Sequence, residues 1–206
     1  MWKIVFALGL VLSVSQSAAA DITCTPTKTV PNQNRTRMKH RTPASGSSNP
    51  ALTTVAAMIA ASPAAGTNTP GFRTAVGPID PRENAAVILK GDLWQVNVES
   101  NDCDFHLEIS EVGGTATSDR VIVEIPQTVR FTATRNAFLR GLQAAGVTLQ
   151  SRTPLTHPIR VQVLGFMFFD AWHFSSTNPR GNSHGSAQVD SIWEVHPVWA
   201  IIFPAS

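Results

Sequence analysis

The chain has 206 residues, 43% of them hydrophobic, and its 16 basic and 14 acidic residues give a formal net charge of +2. This length accommodates one domain with a hydrophobic core and an additional extension. The sequence contains no nucleophile motif, no phosphate-binding loop and no cysteine–histidine zinc pattern, so it predicts no particular reaction.

The first 20 residues have the organisation of a secretory signal peptide. Lys3 precedes an apolar run over residues 4–14, and three alanines at residues 18–20 precede Asp21. The apolar run is shorter than the about 20 residues that span a bilayer, and no later segment reaches that length. We therefore expect an exported protein, periplasmic or extracellular, whose mature chain has no transmembrane segment.

The two cysteines, Cys24 and Cys103, are predicted to form a disulfide. Exported compartments oxidise thiols, and this bond would tie the start of the mature chain to the folded domain. The alternative is a catalytic thiolate at Cys103, but Asp102 and Asp104 flank it and their negative charges disfavour a thiolate.

Residues 21–75 differ in composition from the rest of the chain. They contain six basic residues and one acidic residue, whereas residues 76–206 contain nine basic and thirteen acidic residues. Because residues 21–75 are also rich in Pro, Ala, Ser and Thr, we expect a flexible basic extension. Binding to phosphates needs a basic surface, so nucleic acid is a candidate partner only for the basic arm, which consists of Arg35, Arg37, Lys39 and Arg41.

One part of the extension is predicted to be ordered. Asn49-Pro50 precedes an apolar stripe that includes Val55 and Met58, and Pro63 follows it. This pattern predicts a short capped helix near residues 50–61 that docks on the domain.

From Leu89 onward, apolar and polar residues alternate as they do in strands. The first such run ends near residue 98 and the second begins at Phe105, which predicts a hairpin around a polar turn. A third strand is predicted at residues 121–125. A helix is predicted next, capped by Thr132 or Thr134 and ending at Gly146.

Residues 160–169 and 191–203 predict two long strands, the first with a bend or bulge at Gly165. The order of three strands, a helix and two strands over residues 76–206 predicts a mainly β domain, a small OB-like five-stranded barrel. The mid-strand glycine favours closure of the barrel, although an open sheet or a small sandwich fits the same periodicity.

Four motifs within residues 50–203 resemble those of a family of exported bacterial proteins. They read D-C-D-F-H-L at residues 102–107, E-I-P at 124–126, G-F-M-F-F-D-A-W-H at 165–173 and E-V-H-P-V at 194–198. The resemblance implies a shared domain but no activity. The chain also has a looser similarity to thermonuclease-like OB domains, but it lacks their D-G-D-T motif. Its I-D-P-R-E at residues 79–83 precedes the first strand, whereas a comparable motif would be expected after the hairpin, so nuclease activity is not predicted.

Two clusters of carboxylates and imidazoles are the candidate functional residues. In a strand, residues i and i+2 point to the same side, which places the acid and the histidine of each D-x-H or E-x-H pair together. The second cluster lies on the hairpin and the third strand: Asp104, His106 and Glu124. The first and favoured cluster lies at the end of the fourth strand, in the following loop and on the last strand: Asp170, His173, His184, Glu194 and His196.

These clusters have three interpretations. Imidazole nitrogens and carboxylate oxygens suit Zn²⁺ or a similar divalent ion, whose bound water becomes a nucleophile at an open position. The same side chains can instead hold loops to the barrel by hydrogen bonds, or line a ligand cleft without metal. Four tryptophans offer surfaces on which bases or sugars stack: Trp94, Trp172, Trp193 and Trp199.

Three functions follow from these interpretations. The first is an exported noncatalytic OB-like module that binds an oligosaccharide, a nucleic acid or a protein partner. The second is a metal-dependent hydrolase with its site at the end of strand four and on strand five. The third is a structural or interaction protein of the envelope.

Overall fold

The computed structural model describes residues 24–26, 35–43, 49–178, 180 and 185–204. The proposed signal peptide and His184 lie outside these residues. The described part is mainly β, as predicted, with few and short helices: α1 (Thr36–Lys39), α2 (Val55–Ile59) and α3 (Thr132–Ala144). Its strands are β1 (Ala51–Thr53), β2 (Ala86–Val98), β3 (Phe105–Ser110), β4 (Arg120–Ile125), β5 (Arg152–Phe169) and β6 (Trp193–Ile202).

The six strands form one mixed sheet in the order β1-β2-β3-β4-β6-β5, and β2 also pairs with β5. Strands β2 to β6 therefore close into a ring. The pairing of β4 with β6 is parallel and sets Val123 opposite Val195. The next residue along each strand is Glu124 and His196, so this pairing brings members of the two predicted clusters side by side.

The predicted hairpin forms, with Val98 of β2 opposite Phe105 of β3. The register of the β5–β6 pair shifts on both sides of Gly165, which is the predicted irregularity. Strand β5 begins at Arg152, earlier than predicted, because Thr153 and Pro154 continue the pairing with the far end of β2. This early part of β5 is largely exposed, so the apolar pattern did not reveal it.

The core lies inside the ring and under α3. Leu89 and Val96 of β2 are completely buried, and Phe138 and Leu142 project from α3 into the same core. The helix ends before Gly146, which adopts the left-handed φ of 72° expected of a C-terminal cap. The predicted threonine cap is wrong: Phe131 occupies the cap position, and the Thr134 hydroxyl donates to the carbonyl of Trp199.

The extension is more ordered than its composition suggested. The helix near residues 50–61 is shorter than predicted, because residues 51–53 pair with β2 as strand β1 and the Thr54 side chain caps α2 by accepting from the Ala57 amide. Residues 35–43 also pack on the domain, and Arg35 is 2% exposed.

Cys24 and Cys103 form the predicted disulfide. No helix in the described part of the chain combines the length and the apolar character that a membrane span requires.

Candidate functional site

A cavity of about 530 Å³ opens on the face of β3 and β4. The β2–β3 loop and the loop that follows β5 form two of its walls, and α1 lies across it. Five carboxylates line it, contributed by both loops, β4 and β6: Glu99, Asp102, Glu124, Asp170 and Glu194.

Glu124 is the central residue of this site. Its Oε1 lies 3.1 Å from Nδ1 of His106, which is directly opposite on β3. Its Oε2 lies 2.7 Å from Nδ1 of His196 and 3.8 Å from Nζ of Lys39. One carboxylate therefore contacts three basic side chains from three separate elements.

His196 is completely buried among carboxylates. Its Nε2 lies 3.4 Å from Oδ2 of Asp104, and its Nδ1 lies 3.5 Å from Oε2 of Glu194. Asp104 in turn accepts a hydrogen bond from the Gln127 amide through its other oxygen. The two clusters that the sequence separated are thus one network.

Mutual attraction shifts the charges of this network. Burial alone would raise the pKa of Glu124, but His196, Lys39 and His106 hold it well below its ordinary value. Burial alone would lower the pKa of His196, but Glu124, Asp104 and Glu194 hold it well above its ordinary value. The pKa of His106 is raised for the same reason, chiefly by Glu124.

Lys39 belongs to this site, although the sequence placed it in a solvated arm. Burial disfavours its ammonium, but Glu124, Glu194, Asp170 and Asp102 together raise its pKa above the ordinary value. Next to it, His40 lines the cavity with its pKa lowered by burial. No local pattern marks Lys39, because its carboxylate partners come from distant parts of the chain.

The remaining predicted pair lies at the rim of the cavity. His173 contacts Asp170 through Nδ1, and Asp170 also accepts from the Trp172 amide. The His173 side chain is 40% exposed. Of the first predicted cluster, Asp170 and His173 therefore pair with each other, Glu194 and His196 join Glu124, and His184 lies outside the described residues.

Two carboxyl groups on the β2–β3 side of the cavity have raised pKa values. Burial, with the nearby Asp104 and Glu124, raises the pKa of Asp102 to about 6. Burial also raises the pKa of Glu99. The cavity thus combines carboxyl groups that bind protons readily with a central carboxylate that does not.

The basic arm is largely packed on the domain, which differs from the flexible arm that we predicted. Arg35 pairs with the buried Glu83, and the Arg41 guanidinium donates to the Met167 carbonyl and lies over the Phe166 ring. Lys39 faces Glu124, so Arg37 is the one exposed member of the four in residues 35–43. Arg35, Lys39 and Arg41 thus contact partners in distant parts of the chain, which the sequence pattern did not reveal.

A further carboxylate holds the loop that precedes β6. Glu108 is completely buried, bonds Arg120 at 3.0 Å and accepts from the Ser186 amide at 2.6 Å. Glu108, which was not among the candidates, thus attaches this loop to the sheet.

The tryptophans divide by exposure. Trp172 lines the cavity and is 55% exposed, whereas Trp94 and Trp193 are buried. Trp199 packs on Phe166. Among the four candidates, Trp172 alone combines exposure with a position at the cavity.

Comparison of the chain with protein-family models, with curated protein sequences and with solved structures found no match.

Proposed function

We propose that the chain is an exported binding module of OB type whose cavity takes a short, uncharged or basic oligosaccharide. The observation that carries the proposal is the position of the cavity on the β3–β4 face, between the β2–β3 and β5–β6 loops. OB folds bind oligonucleotides and oligosaccharides on this face and between these loops.

The strand order supports the OB assignment. If β2 is counted as the first strand, neighbouring strands in the ring follow the order first, second, third, fifth, fourth. The helix α3 lies in the chain between the third strand, β4, and the fourth, β5. This is a closed Greek-key arrangement, in which β5 returns to pair with β2. Strand β1 and the N-terminal segment are additions outside that ring.

The lining of the cavity supports a sugar over a nucleic acid. The lining has five carboxyl groups against the three cations Arg35, Lys39 and Arg73, and this excess of acidic groups disfavours phosphates. Carboxylates accept hydrogen bonds from sugar hydroxyls or from an amino group. Trp172 offers an exposed ring at the rim for stacking against one sugar face. A disulfide between Cys24 and Cys103 is compatible with export, because oxidising compartments maintain such bonds.

A metal-dependent hydrolase is the second candidate. Asp170 and His173 form a carboxylate–imidazole pair that opens on the cavity, an arrangement that general base catalysis uses. The binding module is preferred because the position of the cavity matches the binding face of an OB fold, whereas a single carboxylate–imidazole pair is compatible with binding as well as with catalysis. A structural role in the envelope needs no such cavity.

A binding screen tests the proposal. The purified protein is applied to an array of neutral, amino and acidic oligosaccharides, and single-stranded DNA and RNA are tested at low salt. We expect binding to neutral or amino sugars and none to nucleic acid. Binding restricted to nucleic acid or to acidic sugars contradicts the proposal, and hydrolysis of a bound sugar, measured by mass spectrometry, favours the second candidate.

A further inference from the structure

We propose that Asp104, Glu124 and His196 bind one divalent transition-metal ion, with Zn²⁺ as the best match, beneath the floor of the cavity. Each residue offers one donor atom, and the three atoms lie within 4.8 Å of one another. Asp104 is 1%, Glu124 7% and His196 0% exposed. The proposal goes beyond sugar binding, which does not require a metal.

Buried atoms without hydrogen bonds point into this group. In the described part of the chain, Oδ2 of Asp104 and both ring nitrogens of His196 have no hydrogen bond of acceptable geometry. Nδ1 of His196 comes within 2.7 Å of Glu124, but its direction does not suit donation. Because a buried polar atom without a partner is costly, an ion bound to Oδ2 of Asp104 and to one ring nitrogen of His196 would supply partners for two of these three atoms.

The spacing fits metal ligands. Two ligands that are each about 2.1 Å from a tetrahedral Zn²⁺ lie about 3.4 Å apart. Nε2 of His196 and Oδ2 of Asp104 are 3.4 Å apart. With Nε2 as the ligand, Nδ1 faces Glu124 at 2.7 Å and Glu194 at 3.5 Å, and metal-binding histidines commonly direct their second nitrogen at a carboxylate. Glu194 can fill that role, and Glu124 then has to turn its carboxylate from Nδ1 toward the ion.

The charge also fits. Asp104, Glu124 and Glu194 bring three buried carboxylates together, and Lys39 supplies one positive charge at 3.8 Å from Glu124. One divalent ion balances the two remaining negative charges. The imidazole ligand favours Zn²⁺ and similar transition metals over Ca²⁺ and Mg²⁺, which prefer oxygen. Two additional protons, on His196 and His106, are the competing way to balance the charge.

Metal titration tests whether a divalent ion or additional protons balance the negative charge of Asp104, Glu124 and Glu194. The purified protein is stripped with a chelator, dialysed and titrated at neutral pH with Zn²⁺ and, separately, Ca²⁺. We expect one Zn²⁺ per chain and a higher melting temperature, with no saturable Ca²⁺ binding. In the ¹⁵N NMR spectrum, a ring nitrogen of His196 shifts on addition of Zn²⁺, whereas those of the exposed His157 do not.

Near-isosteric variants assign the ligands. We expect Asp104→Asn and Glu124→Gln to weaken Zn²⁺ binding by more than about 100-fold, the upper end of the loss for outer-shell partners. Glu99→Gln is the matched control, because it removes a carboxylate of the same cavity that is not one of the three ligands.

Circular dichroism verifies that each variant is folded, and the NMR measurement on the unaltered protein decides the assignment where a variant does not fold. The absence of saturable Zn²⁺ binding by the unaltered protein overturns the proposal. So does Zn²⁺ binding that leaves the His196 nitrogens unshifted or that survives both Asp104→Asn and Glu124→Gln in folded protein.

Discussion

Arg35 and Glu83 form a buried ion pair through two parallel contacts, each 2.6 Å long. Their side chains are 1% and 0% exposed. Glu83 also accepts from the amides of Ile79 and Phe169, so one carboxylate joins the N-terminal segment, the turn before β2 and the end of β5. This pair positions α1, and with it Lys39, over the cavity.

We expect Glu83→Ala to lower the free energy of unfolding by about 3–5 kcal/mol, because it leaves Arg35 buried without its partner. Chemical denaturation monitored by circular dichroism measures the change. Arg37→Ala is the control on the same short helix, and since Arg37 is exposed we expect a change within about 0.5 kcal/mol. Equal effects of the two substitutions would show that the ion pair does not hold the segment.

Removal of the disulfide is expected to destabilise the domain through its unfolded state. Cys24 and Cys103 are separated by 79 positions, and closing a loop of this size stabilises by about 4 kcal/mol in the chain-entropy model. The Cys24→Ser/Cys103→Ser double variant is compared with the unaltered protein in denaturant, with and without reductant. Reductant should destabilise only the unaltered protein; an equal effect on both contradicts the prediction.

Asp80 is expected to make stability depend on pH in the acidic range. It accepts hydrogen bonds from the Arg82 side chain and from the amides of Arg82 and Ala65, which lower its pKa below the ordinary value of 3.8. As the pH falls, the Asp80 carboxylate therefore binds a proton at a higher pH in the unfolded chain than in the folded one. The stabilisation is complete above pH 3.8 and is lost as the pH falls through the lower folded value.

The comparison with Asp80→Asn measures this contribution. The difference in unfolding free energy between the two proteins should be constant from about pH 5 to pH 8 and should shrink below about pH 4. Asp119→Asn, at an exposed position, serves as the control. A difference that grows on acidification is incompatible with a lowered pKa of Asp80.

Gly165→Ala is expected to destabilise the β5–β6 pair. An added Cβ would lie 2.4 Å from the Val195 side chain and 2.7 Å from the Pro197 carbonyl, so the strands must separate. Overpacking of this kind costs about 1–3 kcal/mol. Gly77→Ala is the matched control, since its Cβ would meet nothing within 4 Å. Thermal unfolding of both variants provides the measurement, and equal losses argue against the clash.

Trp172→Ala is expected to weaken binding of the oligosaccharide found in the screen by about tenfold, which is about 1.4 kcal/mol and lies within the about 1–3 kcal/mol that stacking of a nucleic-acid base on an aromatic ring contributes. Titration calorimetry measures the affinity. Val112→Ala removes an exposed apolar side chain elsewhere and should leave the affinity unchanged. Unaltered affinity of a folded Trp172→Ala protein would place the sugar outside this rim.

The sequence predicted the strands well where one face is buried. The alternation around Trp94 and Phe105 predicted the hairpin, and Gly165 predicted the irregular register, because each signal is local. It failed for the exposed start of β5 and for β1, whose pairing rests on backbone hydrogen bonds rather than on an apolar pattern.

The candidate site was predicted in its residue types but not in its arrangement. Asp104, His106 and Glu124 were separated from Glu194 and His196, although Glu124 and His196 are in contact. Lys39 was assigned to solvent because it lies in the basic run of residues 35–41. The role of Glu108 as a buried anchor had no sequence signal beyond an ordinary strand alternation, and that of Glu83 had none in the turn before β2.

The sequence by itself determined the order of the elements from β2 to β6, the hairpin, the disulfide partners and the set of carboxylates and imidazoles available for a site. These depend on periodicity and composition, which short segments carry independently. Only the tertiary structure decided that the two clusters are one, because the parallel β4–β6 pairing sets Glu124 beside His196. It also decided that Lys39 meets them, since a buried ion pair between Arg35 and Glu83 attaches that segment at long range.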